Sequence, residues 1–106
     1  KLIGMLGATE VFGKHMRHQV EICHAFVDEA FRGHGVMKRL FLALKERLQR
    51  VEHLEQMIVW VTLHETQTSK DLFEKLGFTL AGKLTKTVKY HGHYYDCCWL
   101  EAPLNK

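Results

Sequence analysis

Cysteine is scarce in this 106-residue chain and badly placed for cross-linking: Cys23, Cys97 and Cys98 are odd in number, and two are adjacent. That argues against a disulfide framework and for a reducing, cytoplasmic setting. Long apolar runs are missing as well. Residues 57–61 form one of the longest, far below the ~20 residues a membrane span needs, so no membrane partner is expected. No charged-then-apolar leader opens the chain. Charge of one sign never dominates: 15 Lys and Arg against 12 Asp and Glu leave +3. The clusters Lys14, His15, Arg17, His18 and Lys83, Lys86, Lys89 are short, so a solvated surface is expected there rather than a nucleic-acid interface. The eight histidines match no zinc spacing, and Cys97-Cys98 lacks the two intervening residues of a chelating knuckle, so no metal is expected.

What is present is an ordinary globular composition. Apolar residues make up 46% and charged residues 25%, enough for one packed domain and too little chain for two. Residues 2–12 read as a strand and 13–18 as a polar turn. In residues 20–27, Val20, Ile22, His24 and Phe26 alternate with Glu21, Cys23, Ala25 and Val27. That predicts a second strand, antiparallel to the first across the short turn. After a loop at 28–35, Met37, Leu40, Phe41, Leu44, Leu48 and Val51 recur at three- and four-residue steps, an amphipathic helix of about four turns. Residues 57–63 read as a buried strand and 66–76 as a second helix, with Thr68 and Asp71 resembling a capping box. Gly77 supplies a left-handed stop and Phe78 the apolar contact that follows it. A strand near 79–88, a turn at His91-Gly92-His93 and a strand at 94–101 complete the order β-β-α-β-α-β-β. The expected class is α/β (α+β), a mixed, largely antiparallel sheet with flanking helices.

One segment carries chemistry. In Val27-Asp28-Glu29-Ala30-Phe31-Arg32-Gly33-His34-Gly35-Val36-Met37-Lys38 a strand ends, a glycine-containing loop follows and a helix begins at once. Gly33 and Gly35 remove side chains that would block a ligand from the backbone, and the helix aims free N–H groups and its positive dipole end into the loop. Such a place suits a phosphate or pyrophosphate. A strand–helix turn that needs glycine only for its dihedrals has the same spacing, so both readings stand. The three-glycine dinucleotide pattern is absent, and no Gly-Lys-Ser/Thr follows as in a P-loop.

Arg32-Gly33-His34-Gly35-Val36-Met37 resembles the Arg/Gln-x-x-Gly-x-Gly/Ala acyl-CoA loop of the GNAT N-acetyltransferase superfamily, and Phe26-Val27 resembles the aromatic–Val strand end that precedes it. Further along, Leu72-Phe73-Glu74-Lys75-Leu76-Gly77-Phe78 is similar to the family's second hallmark, a helix end reading aromatic-Glu-Lys-Leu-Gly-Phe. The resemblance spans residues 2–100. It implies one acyl-CoA N-acyltransferase domain over residues 1–106, covering the C-terminal two-thirds of the fold. The first strand, two helices and second strand would precede Lys1, and the family uses those helices to wall the acceptor site. It also implies a sheet splayed between the strands at 20–27 and 57–63. Acetyl-CoA would be the acyl donor, with Ala25, Phe26 and Val27 on the pantetheine and acetyl carbonyl. Arg32, Gly33, His34, Gly35, Val36, Met37 and Lys38 would hold the pyrophosphate, and Thr66 would stand where the family often has a helix-start Asn.

The implied reaction is acetyl transfer to a primary amine, small-molecule or peptide, by direct attack in a ternary complex. Its rival is a non-catalytic acyl-CoA-binding or regulatory module. The rival draws on Phe73, which replaces the tyrosine that often serves as general acid; a phenyl ring donates no proton. Met37 replaces the last small residue of the loop motif and is expected either to crowd the phosphate or to turn into the core. Glu21 lies on the strand lining the cleft, where some relatives place a carboxylate that takes the amine proton, and solvent-facing strand polarity is the alternative. His64 at the end of the central strand is the second catalytic candidate. His24 reads as a core or surface histidine and Cys23 as small filler. Cys97, Cys98, Trp99 and the tyrosines at 90, 94 and 95 fall in the final hairpin as core or interface residues, a surface that could help build a homodimer.

Overall fold

The polar turn after residue 12 closes an antiparallel strand pair, as read from the sequence. The computed structural model describes residues 2–11, 13–63 and 68–105, with Thr68 described by its backbone alone. Within them, β1 (Gly4–Glu10) pairs antiparallel with β2 (Gln19–Val27), from Gly4 opposite Val27 to Glu10 opposite Val20. There follow α1 (Val36–Gln49), β3 (Gln56–Thr62), α2 (Thr68–Lys75), β4 (Thr79–Tyr90) and β5 (His93–Pro103). The order is the β-β-α-β-α-β-β expected, in a five-stranded sheet ordered β1-β2-β3-β5-β4. The chain divides into two compact units, residues 1–57 with 103–106, and residues 58–102.

In the first unit α1 lies on the β1–β2 pair. Gly4 permits this: a Cβ there would stand 3.1 Å from the Phe26 carbonyl oxygen and 3.1 Å from a methyl of Val36, the first residue of α1. Fourteen residues are too few for a stable helix in isolation, so packing must hold α1 in place. Met37, Phe41 and Leu48 supply it, buried at the helical steps read from the sequence, as Val20, Ile22, Leu54, Met57 and Leu104 are in the same unit. Each large side chain so buried contributes about 1.5–3 kcal/mol. The chain end is tied back by Gln49 Nε2, which donates to the Leu104 carbonyl at 2.6 Å, and by the Leu104 N–H, which donates to the Glu55 carbonyl at 2.9 Å.

The second unit is built on the β4–β5 hairpin. Its two-residue turn, His91-Gly92, has both residues at positive φ (50° and 77°), with Tyr90 opposite His93. That backbone matches the twist of the flanking strands, which is why so short a loop closes it. Helix α2 ends as the sequence predicts. Gly77 takes φ 102°, the Phe78 N–H donates to the Phe73 carbonyl at 3.0 Å, and the Gly77 N–H donates to the Glu74 carbonyl at 3.1 Å. The Phe73 and Phe78 rings meet edge to face at 5.4 Å, closing the helix end with an apolar contact. Trp60 and Trp99 pack with ring centroids 3.6 Å apart.

One expectation needs correction. The alternation of β2 does not run to its end: Val20 and Ile22 are buried, but His24 and Phe26 are exposed. Two residues, His24 and Ala25, oppose the single Leu6, and His24 takes φ 54°, so a β-bulge exchanges the two faces from there on. The capping-box reading of Thr68 and Asp71 rests on a side chain that lies outside those described. The tyrosines read as core or interface residues divide: Tyr90 and Tyr94 are exposed and so do not belong to the core, with the Lys86 and Lys89 ammonium groups 5.5 and 5.4 Å from the Tyr94 ring centre.

Strand β4 carries its own irregularity. Between Leu84 and Val88 it has two more residues than β5 opposite, and Lys86 there takes φ 52°. The Asp96 carboxylate accepts the Lys86 backbone N–H at 2.9 Å and sits 3.4 Å from the Lys83 ammonium. The amide bond first, and the lysine second, hold its carboxyl below the usual range. A lowered folded-state value means that this support is complete above the ordinary carboxyl range and is lost as pH falls through the lowered value. Hydrogen exchange at the Lys86 amide should therefore rise on acidification through that window, beyond its intrinsic pH trend. Asp96→Asn should remove this extra dependence; an unchanged profile in the variant would show that the carboxylate does not hold the bulge.

Candidate functional site

The loop between β2 and α1 is fastened at both ends by side chains and left open in the middle. At its start the Asp28 carboxylate accepts the Ala30 N–H at 3.0 Å, which winds Glu29–Phe31 into a single 3-10 turn. The Arg32 guanidinium folds back, its Nε donating to the Val27 carbonyl at 3.0 Å, and so pins the loop to the last residue of β2. Beyond it, Gly33 and Gly35 take φ 82° and 75°, the left-handed region that a residue with a Cβ adopts only at a cost. The Arg39 side chain reaches back to the His34 carbonyl at 3.0 Å.

Helix α1 then begins with no side-chain cap. Its first intrahelical bond runs from the Arg39 N–H to the Gly35 carbonyl at 3.1 Å, which leaves the N–H groups of Val36, Met37 and Lys38 without an acceptor inside the helix. A Cβ placed on Gly33 or Gly35 would meet nothing within 4 Å. Protein crowding is therefore not what demands glycine here; backbone conformation is, and the space above both residues is free for a ligand. Arg32, His34, Lys38 and Arg39 are exposed basic residues of the same stretch.

Most residues named from the sequence fall in this one stretch. Arg32, Gly33, His34, Gly35, Val36 and Lys38 form the loop and the first turn of α1. Met37 resolves its two alternatives by turning inward, 7% exposed, so only its backbone can face the loop. Ala25, Phe26 and Val27 form the last part of β2, directly after the His24 bulge; Ala25 is exposed, and the Phe26 ring is 42% exposed. Thr66 and His64 lie outside the described residues.

The catalytic candidates separate. Glu21 is half-buried on β2, opposite Thr9, on the N-terminal side of the bulge. Cys23 stands close enough to feel it: burial first, and the Glu21 charge second, push the thiol up. A raised thiol is a poor nucleophile, in keeping with small filler. Phe73 is 3% exposed, its ring spent on the contact with Phe78. The signal missed in the sequence is the bulge, which no glycine or proline announces.

The family model described as Acetyltransferase (GNAT) matches residues 1–78. No curated protein matches the sequence. Among solved structures, the acetyltransferase of GNAT family from Streptococcus pneumoniae superposes with a TM-score of 0.87 at 19% identity, over 97% of this chain and 61% of that one. The yncA protein of Salmonella typhimurium, solved with its cofactor acetyl-CoA, gives 0.86 at 20% identity, over 98% and 59%. Ribosomal-protein-alanine N-acetyltransferase from Brucella melitensis gives 0.83 at 20% identity, over 95% and 61%. This chain thus spans about three-fifths of the length of the structures it matches. At these identities the superpositions establish the fold, and the model match over residues 1–78 establishes the family: the chain belongs to the GNAT acetyltransferases.

Proposed function

We propose that this chain binds acetyl-CoA through residues 25–27 and 32–38 and takes part in acetyl transfer to an amine. The observation that carries the reading is the uncapped start of α1 beneath two left-handed glycines with open space above them. The N–H groups of Val36, Met37 and Lys38 suit a pyrophosphate, since the dipole of a 14-residue helix favours negative charge at that end. Arg32 and Arg39 position the loop, and their remaining guanidinium donors, with Lys38, add positive charge. At the bulge the ladder between β1 and β2 is interrupted, and the strand end at Ala25–Val27 would offer backbone groups to an extended ligand. The thioester supplies the acetyl group. Backbone N–H groups near Phe26 and Val27 would orient and polarise its carbonyl.

An amine must lose a proton before it attacks. Glu21 is the proposed acceptor, directly or through water, and the leaving thiolate needs no dedicated acid because a thiol with a pKa of roughly 8–9 is a tolerable leaving group. The acceptor class, a small-molecule or peptide amine, rests on the family and on relatives such as the ribosomal-protein-alanine enzyme. The rival reading, an acyl-CoA-binding module without catalysis, draws on Phe73, whose ring has no hydroxyl and is packed away.

Asparagine tolerates the left-handed region, so it separates backbone strain from ligand exclusion. Gly35→Asn and Gly77→Asn replace glycines that both have positive φ and open surroundings. The two should lower the thermal midpoint by similar amounts. Only Gly35→Asn should weaken acetyl-CoA binding, by at least about 2 kcal/mol in calorimetry, or some 30-fold. Equal affinities in the two variants would refute the loop assignment.

In the complete protein, Glu21→Gln should lower kcat/KM by at least ~10-fold at neutral pH in a thiol-release assay with an amine panel. The deficit should shrink as pH approaches the pKa of the amine, while acetyl-CoA affinity stays within about twofold. Wild-type kinetics throughout would make Glu21 structural, and cofactor binding without any thiol release would favour the module.

A further inference from the structure

A second basic site lies at the other end of β2. Lys14, His15, Arg17, His18 and His53 line a single open cavity of about 300 Å³, the lower end of the range for small-ligand pockets. Among the described residues no carboxylate lines it. The acidic residues nearest His53 in the chain, Glu52 and Glu55, flank that histidine without entering the lining. Among the described residues, none of the five side chains forms a hydrogen bond or an ion pair. Nor are its three imidazoles arranged to hold a metal ion. Lys14 and Arg17, gathered without a counter-charge, repel one another, so no contact among the described residues accounts for the grouping as a stabilising feature.

The backbone beneath the cavity is fixed. The Met16 N–H donates to the Gly13 carbonyl at 3.0 Å, forming the turn that carries Lys14 and His15. The His18 carbonyl accepts two donors, the Glu55 N–H at 2.7 Å and the Gln56 N–H at 3.1 Å, which ties this turn to the segment bearing His53. That segment is itself wound by the Leu54 N–H on the Val51 carbonyl at 3.2 Å, with Leu54 buried as its anchor. Residues distant in sequence are thus brought together by short main-chain bonds rather than by chance side-chain postures.

We propose that this cavity is a binding site for a compact, multiply charged phosphate-class anion, separate from the acyl-CoA loop. The separation follows from chain geometry: Lys14 to His18 precede the nine residues of β2 and the loop follows them, a span of roughly 30 Å, while His53 comes after the far end of α1. A compact ion fits better than a nucleic acid, because the positive charge is gathered into one small concavity and does not form a stripe that could track a backbone.

The test uses inorganic pyrophosphate, titrated into protein already saturated with CoA so that the loop is occupied. Calorimetry should show one saturable, salt-sensitive event, and the side-chain NMR signals of His15, His18 and His53 should shift with it. Lys14→Ala/Arg17→Ala should weaken this binding by at least tenfold, with CoA affinity unchanged. The surface control Lys75→Ala/Lys89→Ala should stay within twofold. Arg17→Gln alone should weaken it in the same direction without lowering the thermal midpoint, which guards against a folding defect in the double variant. Gly35→Asn should leave it intact, so the site stands even if the loop reading fails. No saturable binding, equal loss in the surface control, unmoved histidine signals, or a preference for a short DNA duplex over pyrophosphate would each overturn the proposal.

Discussion

The start of α1 sets the terms for the rest of the first unit. A helix must leave its first N–H groups unpaired, and a capping side chain or water ordinarily takes them. Here the capping position is Gly35 in the left-handed region, which has no side chain to offer. Burying such an end would be costly, so it must stay open to solvent or meet an anion. The loop has to hold that opening without filling it. Asp28 and Arg32 do so from one side by binding backbone rather than reaching across, and Arg39 does so from the other.

The strand pair beneath makes the opening usable. Gly4 lets Val36 approach β1, which fixes where α1 begins relative to the end of β2. One extra residue in β2 then interrupts its ladder and turns Phe26 outward, so that the strand end and the free N–H groups of the helix flank the same short loop. Met37 illustrates how the arrangement absorbs a departure from the family motif. Its side chain joins Phe41 and Leu48 in the core, and its amide stays in the first turn. On the proposed reading the ligand meets main-chain atoms at this place, so side-chain identity is free to serve packing.

That division explains what the sequence made legible. Periodicity located α1 and β3 within a residue or two, because burial at three- and four-residue steps or at every second residue is what holds them. Gly77 and Phe78 announced the end of α2, because a left-handed stop and its apolar contact need those residue types. The bulges were illegible: His24 and Lys86 both enter the left-handed region through tertiary pairing, and neither residue type signals it. The basic cavity was half visible, since Lys14 to His18 are contiguous but His53 joins them only through main-chain bonds to His18. The readings of His64 and Thr66 fall outside the described residues.

The central claim is that main-chain N–H groups at the start of α1 receive the pyrophosphate of CoA. Backbone amide NMR during a CoA titration addresses it directly, because it reports each donor separately. The account predicts saturable shifts and slowed exchange at Gly33, Gly35, Val36, Met37 and Lys38, with smaller changes at Ala25 to Val27 and none at Lys14 to His18. Saturable CoA binding that leaves the amides of residues 33–38 unmoved would contradict it.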